Sequence, residues 1–267
     1  MKQFISKIIS NERIAKEQYS MVLDAAGMSE KATPGQFVHV RCGHDADPLL
    51  RRPFSIYRVR DVGGQKAIEI IYKIVGRGTA LLAKKRPGDP IDVLGPLGNG
   101  FNINNPSITF IVAGGIGAAA CYMLAEELVK KKCKIYYFFG ARSKDYVICE
   151  EDFRALGCEI HICTDDGSSG HKKLIPDHLT DIIKEIPKAE LSTAEIYACG
   201  PMIMLKKTAE AAEKAKIRCQ MSLEARMGCG VGACMSCVVK CKQGDSFMYK
   251  RVCKYGPVLN ASEIIWE

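Results

Sequence analysis

Aromatic side chains are scarce: they make up 7% of the 267 residues, with a single tryptophan. The net charge of +8 comes from short lysine groups, Lys130–Lys132, Lys172–Lys173 and Lys206–Lys207, with acids between them. A nucleic-acid binder would show a basic stripe with interleaved aromatics, so that class is set aside and the lysines read as solvated helix faces. The five histidines, His39, His44, His161, His171 and His178, share no metal-ligand spacing. Neither a nucleophile elbow nor a Ser/His/Asp set is visible, which removes covalent hydrolysis. There is no internal repeat and no low-complexity linker. One uncharged run, Ile108 to Ala125, approaches the length of a membrane span. Gly114, Gly115 and Gly117 break it, so it reads as strand, tight turn and buried helix, and no membrane span is expected.

Cysteine, by contrast, is abundant. Thirteen cysteines without a secretory signal imply a reducing compartment, and the odd count excludes complete internal pairing. The expected location is cytoplasmic. Four of the thirteen stand in one pattern, Cys229-x4-Cys234-x2-Cys237, with Cys253 sixteen positions further on. That is the spacing of a plant-type [2Fe–2S] cluster, which needs two thiolates on each iron. Gly228, Gly230 and Gly232 suit a backbone that wraps closely around inorganic sulfide and aims N–H groups at it. Structural zinc is the alternative. Zinc draws on paired C-x2–4-C knuckles or Cys/His sets, whereas here there is one C-x2-C and no nearby His. Cys241 has no motif spacing and is left as a spare thiol.

The length suits two domains and a small appendage. The first hundred residues are β-rich, with runs at Gln3–Ile9, Tyr19–Asp24, Phe37–Arg41, Ser55–Val59, Ala67–Val75 and Ile91–Leu94. Turn signals separate them, and one helix is expected near Thr79–Lys85. Six short strands at this spacing predict an antiparallel barrel over residues 1–101. His39 is read as an ordinary barrel residue. Three stretches of the barrel have chemical character. In Arg51-Arg52-Pro53-Phe54-Ser55 an arginine at a strand start can clamp phosphate, and an aromatic and a hydroxyl can face a flat heterocycle. In Ile71-Tyr72-Lys73 through Gly76, Gly78 and Thr79, glycines lead into a helix start. The third is the glycine-rich exit loop from Leu94 to Phe101.

From Pro106 the texture becomes alternating strand and helix, the sign of a parallel sheet over residues 102–218. A buried strand, Ile108–Ala113, feeds Gly115-Ile-Gly117-Ala-Ala-Ala120, which fits a dinucleotide turn leading into a helix over Ala118–Lys131. Further strands are expected at Lys134–Gly140, Glu159–Thr164 and Glu195–Ala198. The loops after them carry Arg142, Asp165 and Asp166, and Cys199-Gly200-Pro201-Met202. Ligands of such sheets bind beyond the C-terminal ends of the strands. Arg142 stands where an acid would read a ribose hydroxyl, so NAD and NADP stay undivided. Residues 219–267 form the cysteine-rich appendage.

The order Arg-Pro-Phe-Ser, Gly-Arg-Gly-Thr, glycine turn, and Tyr197-Ala-Cys-Gly-Pro-Met202 resembles the ferredoxin–NADP reductase superfamily over about residues 1 to 218. With the tail from Ser222 to Cys253, the whole chain resembles the electron-transfer subunits of NAD-dependent, class 1B dihydroorotate dehydrogenases. The resemblance implies a β-barrel FAD domain, a Rossmann-like nucleotide domain and a small [2Fe–2S] domain. It implies FAD on Arg52, Pro53, Phe54, Ser55, Ile71, Tyr72, Lys73, Gly78 and Thr79. It implies NAD framed by Gly114, Gly115, Gly117, Asp165, Asp166, Cys199, Gly200, Pro201 and Met202, and the cluster on Cys229, Cys234, Cys237 and Cys253. No catalytic acid or base is demanded, because hydride passes directly between rings. The implied partner is a flavin-bearing catalytic subunit that oxidises dihydroorotate to orotate, in a heterotetramer of two plus two. Two departures stand out: Phe54 replaces a usual tyrosine, and Ala118-Ala119-Ala120 replaces Val-Ala-Pro. The alternatives are a related reductase subunit for a ferredoxin, a sulfide dehydrogenase or an oxygenase, and a zinc-stapled interaction module without enzymatic activity.

Overall fold

The computed structural model describes residues 2–25, 27–28, 32–43 and 47–266; His44 lies outside them. Strands β1 (Lys2–Ala15), β2 (Gln18–Asp24), β3 (Phe37–Val40), β4 (Arg52–Val62), β5 (Gln65–Lys73) and β6 (Pro90–Leu97) close into an antiparallel barrel of order β1-β2-β5-β4-β3-β6. All six expected strands are present. β1 is twice the expected length because it serves two neighbours. Lys2–Lys7 pair with β6, and beyond an irregularity at Ile8–Ser10 the strand turns to β2. Inward residues alternate as the pleat requires: Met21, Leu23, Val38, Val40, Ile68, Ile70, Ile91 and Val93 form a core private to the barrel. The helix between β5 and β6, α1 (Arg77–Leu82), starts two residues earlier than expected. Thr79 decides this. Its hydroxyl accepts the N–H of Val75 at 2.9 Å and donates to the Gly76 carbonyl at 3.0 Å, closing the first turn.

The second layer structure is a six-stranded sheet of order β14-β11-β10-β7-β8-β9. Its members are β7 (Ile108–Gly114), β8 (Lys134–Ala141), β9 (Glu159–Thr164), β10 (Glu195–Cys199), β11 (Arg218–Ser222) and β14 (Val258–Asn260). Five strands run parallel and β14 is antiparallel to β11. Helices α2 (Ala118–Lys130) and α3 (Glu150–Ala155) share one core with Ile111, Ala113, Tyr137 and Phe139. Helices α4 (Ile175–Glu185) and α5 (Met202–Ala215) share the other with Phe110, Val112, Phe138 and Ile196. Odd and even strand residues thus part to opposite faces, which is why these strands are apolar throughout. The barrel leans on the α2 face, with the Tyr57 and Tyr122 rings 4.7 Å apart.

The remaining chain forms a hairpin, β12 (Val238–Gln243) and β13 (Ser246–Arg251), and a short helix, α6 (Val252–Tyr255). The division expected between 218 and 219 falls at the first residue of β11, so the sheet draws strands from both sides of it. The glycine-rich exit loop from Leu94 to Phe101 is a clasp on the tail. Asn99 donates its backbone N–H to Gly256 at 2.6 Å and its side-chain amide to the Lys254 and Tyr255 carbonyls. Among the described residues no helix is long and apolar enough to cross a membrane.

Candidate functional site

Strand order reverses at β7, whose neighbours β8 and β10 leave in opposite directions, and this switch point is where open α/β sheets bind ligands. The two loops expected to frame a nicotinamide meet there. Cys199 pairs with Ala113 in register, and the chain beyond each residue folds over the other. A Cβ on Gly117 would lie 2.2 Å from the Cys199 carbonyl oxygen, and one on Gly114 would lie 2.8 Å from the Pro201 ring. Gly115 adopts φ +53°, which turns the chain from β7 into a single 3-10 turn and then α2. Glycine is required by proximity at two of these positions and by conformation at the third. Asp165 and Asp166 are exposed beyond β9, two strand spacings or roughly 10 Å from β7. Asp166 accepts from the Ser168 hydroxyl at 2.6 Å and its N–H at 2.9 Å, and these bonds hold its carboxyl below the usual range.

At the start of β4 the two arginines separate in role. Arg51 is consumed by structure, pairing with Asp92 at 2.6 Å and donating to the Asp92 carbonyl at 3.1 Å. Arg52 meets no carboxylate among the described residues and donates only to the Leu50 and Arg51 carbonyls. A Cβ on Gly78 would stand 3.3 Å from Arg52 Nε, so the barrel brings the guanidinium and the Gly76–Thr79 turn together. Pro53 and Ser55 are half-buried and face outward. Phe54 does not. Paired with Val38, its ring turns into the barrel core, 5.7 Å from Tyr72, so its face is not open to a flat ring outside the barrel. Tyr72 is likewise internal, stacked on Tyr19 at 5.6 Å and donating its hydroxyl to Asn11 at 2.8 Å. Ile71, next to Tyr72 and on the other side of the pleat, shares the nucleotide-domain core with Tyr57, and Lys73 pairs with Glu17 at 3.6 Å.

The four motif cysteines lie in two pairs. Cys229 and Cys234 have sulfurs 3.4 Å apart, and Cys253 donates its N–H to Cys237 Sγ at 3.4 Å. Further N–H groups aim at sulfur: Val231 and Cys234 at Cys229 Sγ, at 3.5 and 3.4 Å, and Gly232 at Cys253 Sγ, at 3.2 Å. Gly230 and Gly232, with φ of +71° and +79°, turn the loop so that these groups point inward. Burial opposes ionisation of Cys229, but the N–H groups of Cys234, Val231 and Ala233 outweigh it and hold the thiol down to about 6. Burial and the neighbouring Cys237 push Cys253 up to about 12. All thirteen cysteines are free. Two thiol pairs, each served by backbone donors, fit one iron per pair. Cys241 belongs to none of this: it is fully buried in the core beside Ile264.

Two residues near these sites were not expected. Glu224 stands at the end of β11 beside Cys199, where surrounding protein raises its carboxyl above the usual range. His39 sits between the barrel and the cysteine loop, fully buried, its ring held down to about 4 by that burial and by the charge of Arg51. Periodicity hides both, since Glu224 follows a strand end and His39 keeps the strand's alternation.

Two family models match the chain: an iron-sulfur cluster binding domain of dihydroorotate dehydrogenase B over residues 224–265, and an oxidoreductase NAD-binding domain over 111–210. A dihydroorotate dehydrogenase B (NAD(+)) electron transfer subunit from Desulforamulus reducens is 41% identical, covering 100% of this chain and 99% of its own. The subunit of the same name from Bacillus caldolyticus is 43% identical over 97% of this chain and 96% of its own. Among solved structures, a chain of an NADH-dependent reduced ferredoxin–NADP oxidoreductase superposes with TM-score 0.84 at 29% identity, covering 98% of this chain and 90% of that one. A ferredoxin NADP+ reductase from Neisseria gonorrhoeae shares the fold, with TM-score 0.68 at 17% identity over 80% of this chain and 92% of its own. By full-length identity and by its cysteine tail, the chain belongs to the electron-transfer subunits of NAD-dependent dihydroorotate dehydrogenase B.

Proposed function

We propose that the protein passes electrons between a flavin-bearing dihydroorotate dehydrogenase catalytic subunit and NAD, in the cytoplasm, within an assembly of two copies of each chain. The observation that carries this reading is the pair of thiol pairs set on a reductase body, because a nicotinamide oxidoreductase has no use for such a loop unless single electrons pass through it. When bound, FAD supplies the exchange between a hydride and single electrons, which nicotinamide and an iron–sulfur cluster cannot make with each other directly.

The chain's own part is placement. Gly114 and Gly117 let the glycine turn close directly on Cys199-Gly200-Pro201-Met202, and Gly115 turns the chain into α2, so that backbone rather than side chains would face a nicotinamide at the switch point. Asp165 and Asp166 would border the far end of NAD. Arg52, with no carboxylate against it among the described residues, would take the FAD pyrophosphate beside Gly78 and Thr79, with Pro53, Ser55 and Ile71 along the ring system and the backbone of Phe54, Tyr72 and Lys73 completing the wall. Cys229, Cys234, Cys237 and Cys253 would hold the two irons, with the Val231, Gly232 and Cys234 N–H groups stabilising thiolate and sulfide charge. No side chain is assigned proton transfer. The barrel, residues 1–101, would carry FAD, residues 102–218 NAD, and residues 219–267 the cluster.

The test is anaerobic reconstitution with the companion subunit. Two irons and one FAD per chain, with dihydroorotate-dependent reduction of NAD+, is the expected result. Colourless protein, or a loaded pair that reduces no NAD+, would end the proposal. The 29% identity and full-length superposition with the ferredoxin–NADP oxidoreductase chain support a second reading, a reductase serving a ferredoxin-linked partner. Turnover with ferredoxin but none with dihydroorotate would favour it.

A further inference from the structure

β3 is four residues long and buried on both faces, yet it carries a histidine. Val38 and Val40 point into the barrel core, so Phe37 and His39 point outward. Outward here means toward the cluster-bearing tail: Phe37 joins the core that contains Met227, Cys237 and Cys253. On its own sheet His39 lies opposite Pro53, in the strand proposed to carry the flavin. On the other side a Cβ at Gly230 would fall 2.4 Å from His39 Nδ1 and 3.0 Å from Cγ and Cε1. The cysteine loop therefore lies directly on the imidazole, and only a glycine fits there.

His39 has no exposed surface, and among the described residues neither ring nitrogen meets a partner at hydrogen-bonding geometry. The backbone carbonyls of Arg51 and Cys229 are the polar neighbours that face it, outside hydrogen-bonding geometry but on the side that favours an N–H on the ring. Burying an imidazole without well-formed hydrogen bonds carries a desolvation penalty that an apolar residue on β3 would avoid. Valine or leucine would serve the barrel better. The ring sits on β3, between Pro53 of the strand proposed to carry the flavin and the backbone of a proposed cluster ligand's own segment.

We propose that His39 is a positioning residue for electron transfer: its imidazole seats the Cys229–Gly230 segment at a fixed height over the flavin strand and presents an N–H to it. This rests on the placement of FAD and cluster given above. Hydrogen bonding and burial around a cluster's sulfurs set its potential, and loss of a group that orients a ligand costs roughly 10–100-fold in affinity or activity.

The experiment uses the full chain, loaded anaerobically with FAD and iron, as wild type, His39→Leu and His39→Asn. Three quantities are read: the electron paramagnetic resonance spectrum of the reduced cluster, its midpoint potential, and the rate of the flavin-to-cluster step relative to the NADH-to-flavin step in the same sample. His39→Leu should shift the spectrum and the potential and lower that ratio roughly 10-fold. His39→Asn, which places an amide N–H near the position of Nδ1, should lie closer to wild type in all three. A wild-type spectrum and ratio from His39→Leu would overturn the proposal, as would an Asn variant no nearer to wild type than the Leu variant. If His39→Leu retains no iron, Gly230→Ala replaces it, since a methyl there presses on the same nitrogen; an unchanged spectrum from that variant also overturns the proposal. Wild-type protein that takes up FAD but no iron would instead overturn the functional reading.

Discussion

The barrel closes on side chains of its own, from Met21 and Leu23 to Ile91 and Val93. The segment after Ser222 has no such private interior. Met227, Cys237, Cys241, Val252 and Ile264 are buried only because they extend the core under one face of the nucleotide sheet. Its hairpin is two-stranded, its helix is four residues long, and its final strand is borrowed into the sheet beside β11. A two-stranded hairpin is marginal by itself. The barrel is thus fixed by pattern, whereas the tail is fixed by what it rests on and by what its thiols hold. The lesson is that the same chain uses apolar alternation where it needs a scaffold and backbone donors where it needs a charged centre. Each prediction below should strike one region and spare the other.

The largest effect is expected at a cluster ligand. Cys237→Ser leaves one pair with a single thiolate. We expect iron content to fall to near zero and transfer to the partner subunit to drop by more than roughly 100-fold, since even loss of a residue behind a ligand costs 10–100-fold. The barrel should be untouched, so FAD occupancy should stay at the wild-type level. Iron assay and flavin absorbance on one sample check both halves. Retained iron with wild-type transfer would break the contrast drawn here.

Gly117→Val strikes the nucleotide crevice instead. The added carbons would start 2.2 Å from the Cys199 carbonyl, so the two loops at the switch point must separate. A displacement of about 1 Å at a reacting centre can cost roughly 100-fold, and that is the expected loss in NADH-to-flavin rate. Stopped-flow reduction of the bound flavin measures it. Iron content should not change, because the cysteine loop does not lean on Gly117.

Arg52→Met tests the flavin strand at a smaller scale. A charge-assisted bond to a pyrophosphate contributes roughly 1.5–3 kcal/mol, so FAD affinity should weaken about 10- to 100-fold. The same change at Arg51 should act through stability, because that guanidinium is bound to Asp92 at 2.6 Å rather than waiting for a ligand. Flavin titration against thermal denaturation separates the two. Equal flavin loss from both variants would refute the division of roles between neighbours in sequence.

How much of this was legible beforehand follows the same division. The six barrel strands, the strand–turn–helix at Gly115 and the cysteine spacing could be read because each is a local pattern. Strands β11 to β14 could not, since a five-residue run such as Arg218–Ser222 becomes a strand only when β10 lies beside it. The motif Arg-Pro-Phe-Ser puts an aromatic within reach of a flat heterocycle, but barrel closure sets which side of β4 is inward, and Phe54 goes to the core. The exit loop at Asn99 looked chemical by its glycines and proved to be a clasp. Alternation hides His39, because it cannot distinguish a residue facing solvent from one facing another domain.

The smallest effect should come from the thiol nearest the cluster motif in sequence that is not part of it. Cys241 lies four residues after Cys237 and could in principle replace a lost ligand. Its side chain is fully buried under Ile264, in the layer that continues the sheet's core, and burial raises its thiol above the ordinary range. A group held neutral among apolar neighbours acts as a small hydrophobe, not as a thiolate. Cys241→Ala should therefore cost about 1 kcal/mol of stability, through the small cavity left by one sulfur, and leave iron content and the cluster's spectrum at wild-type values. Loss of iron would place Cys241 among the ligands and dissolve the two-pair arrangement. A stability change confined to the tail, read as faster amide exchange in β12 and β13 with the barrel unchanged, would instead sharpen the contrast between a region that holds itself and one held by its neighbours.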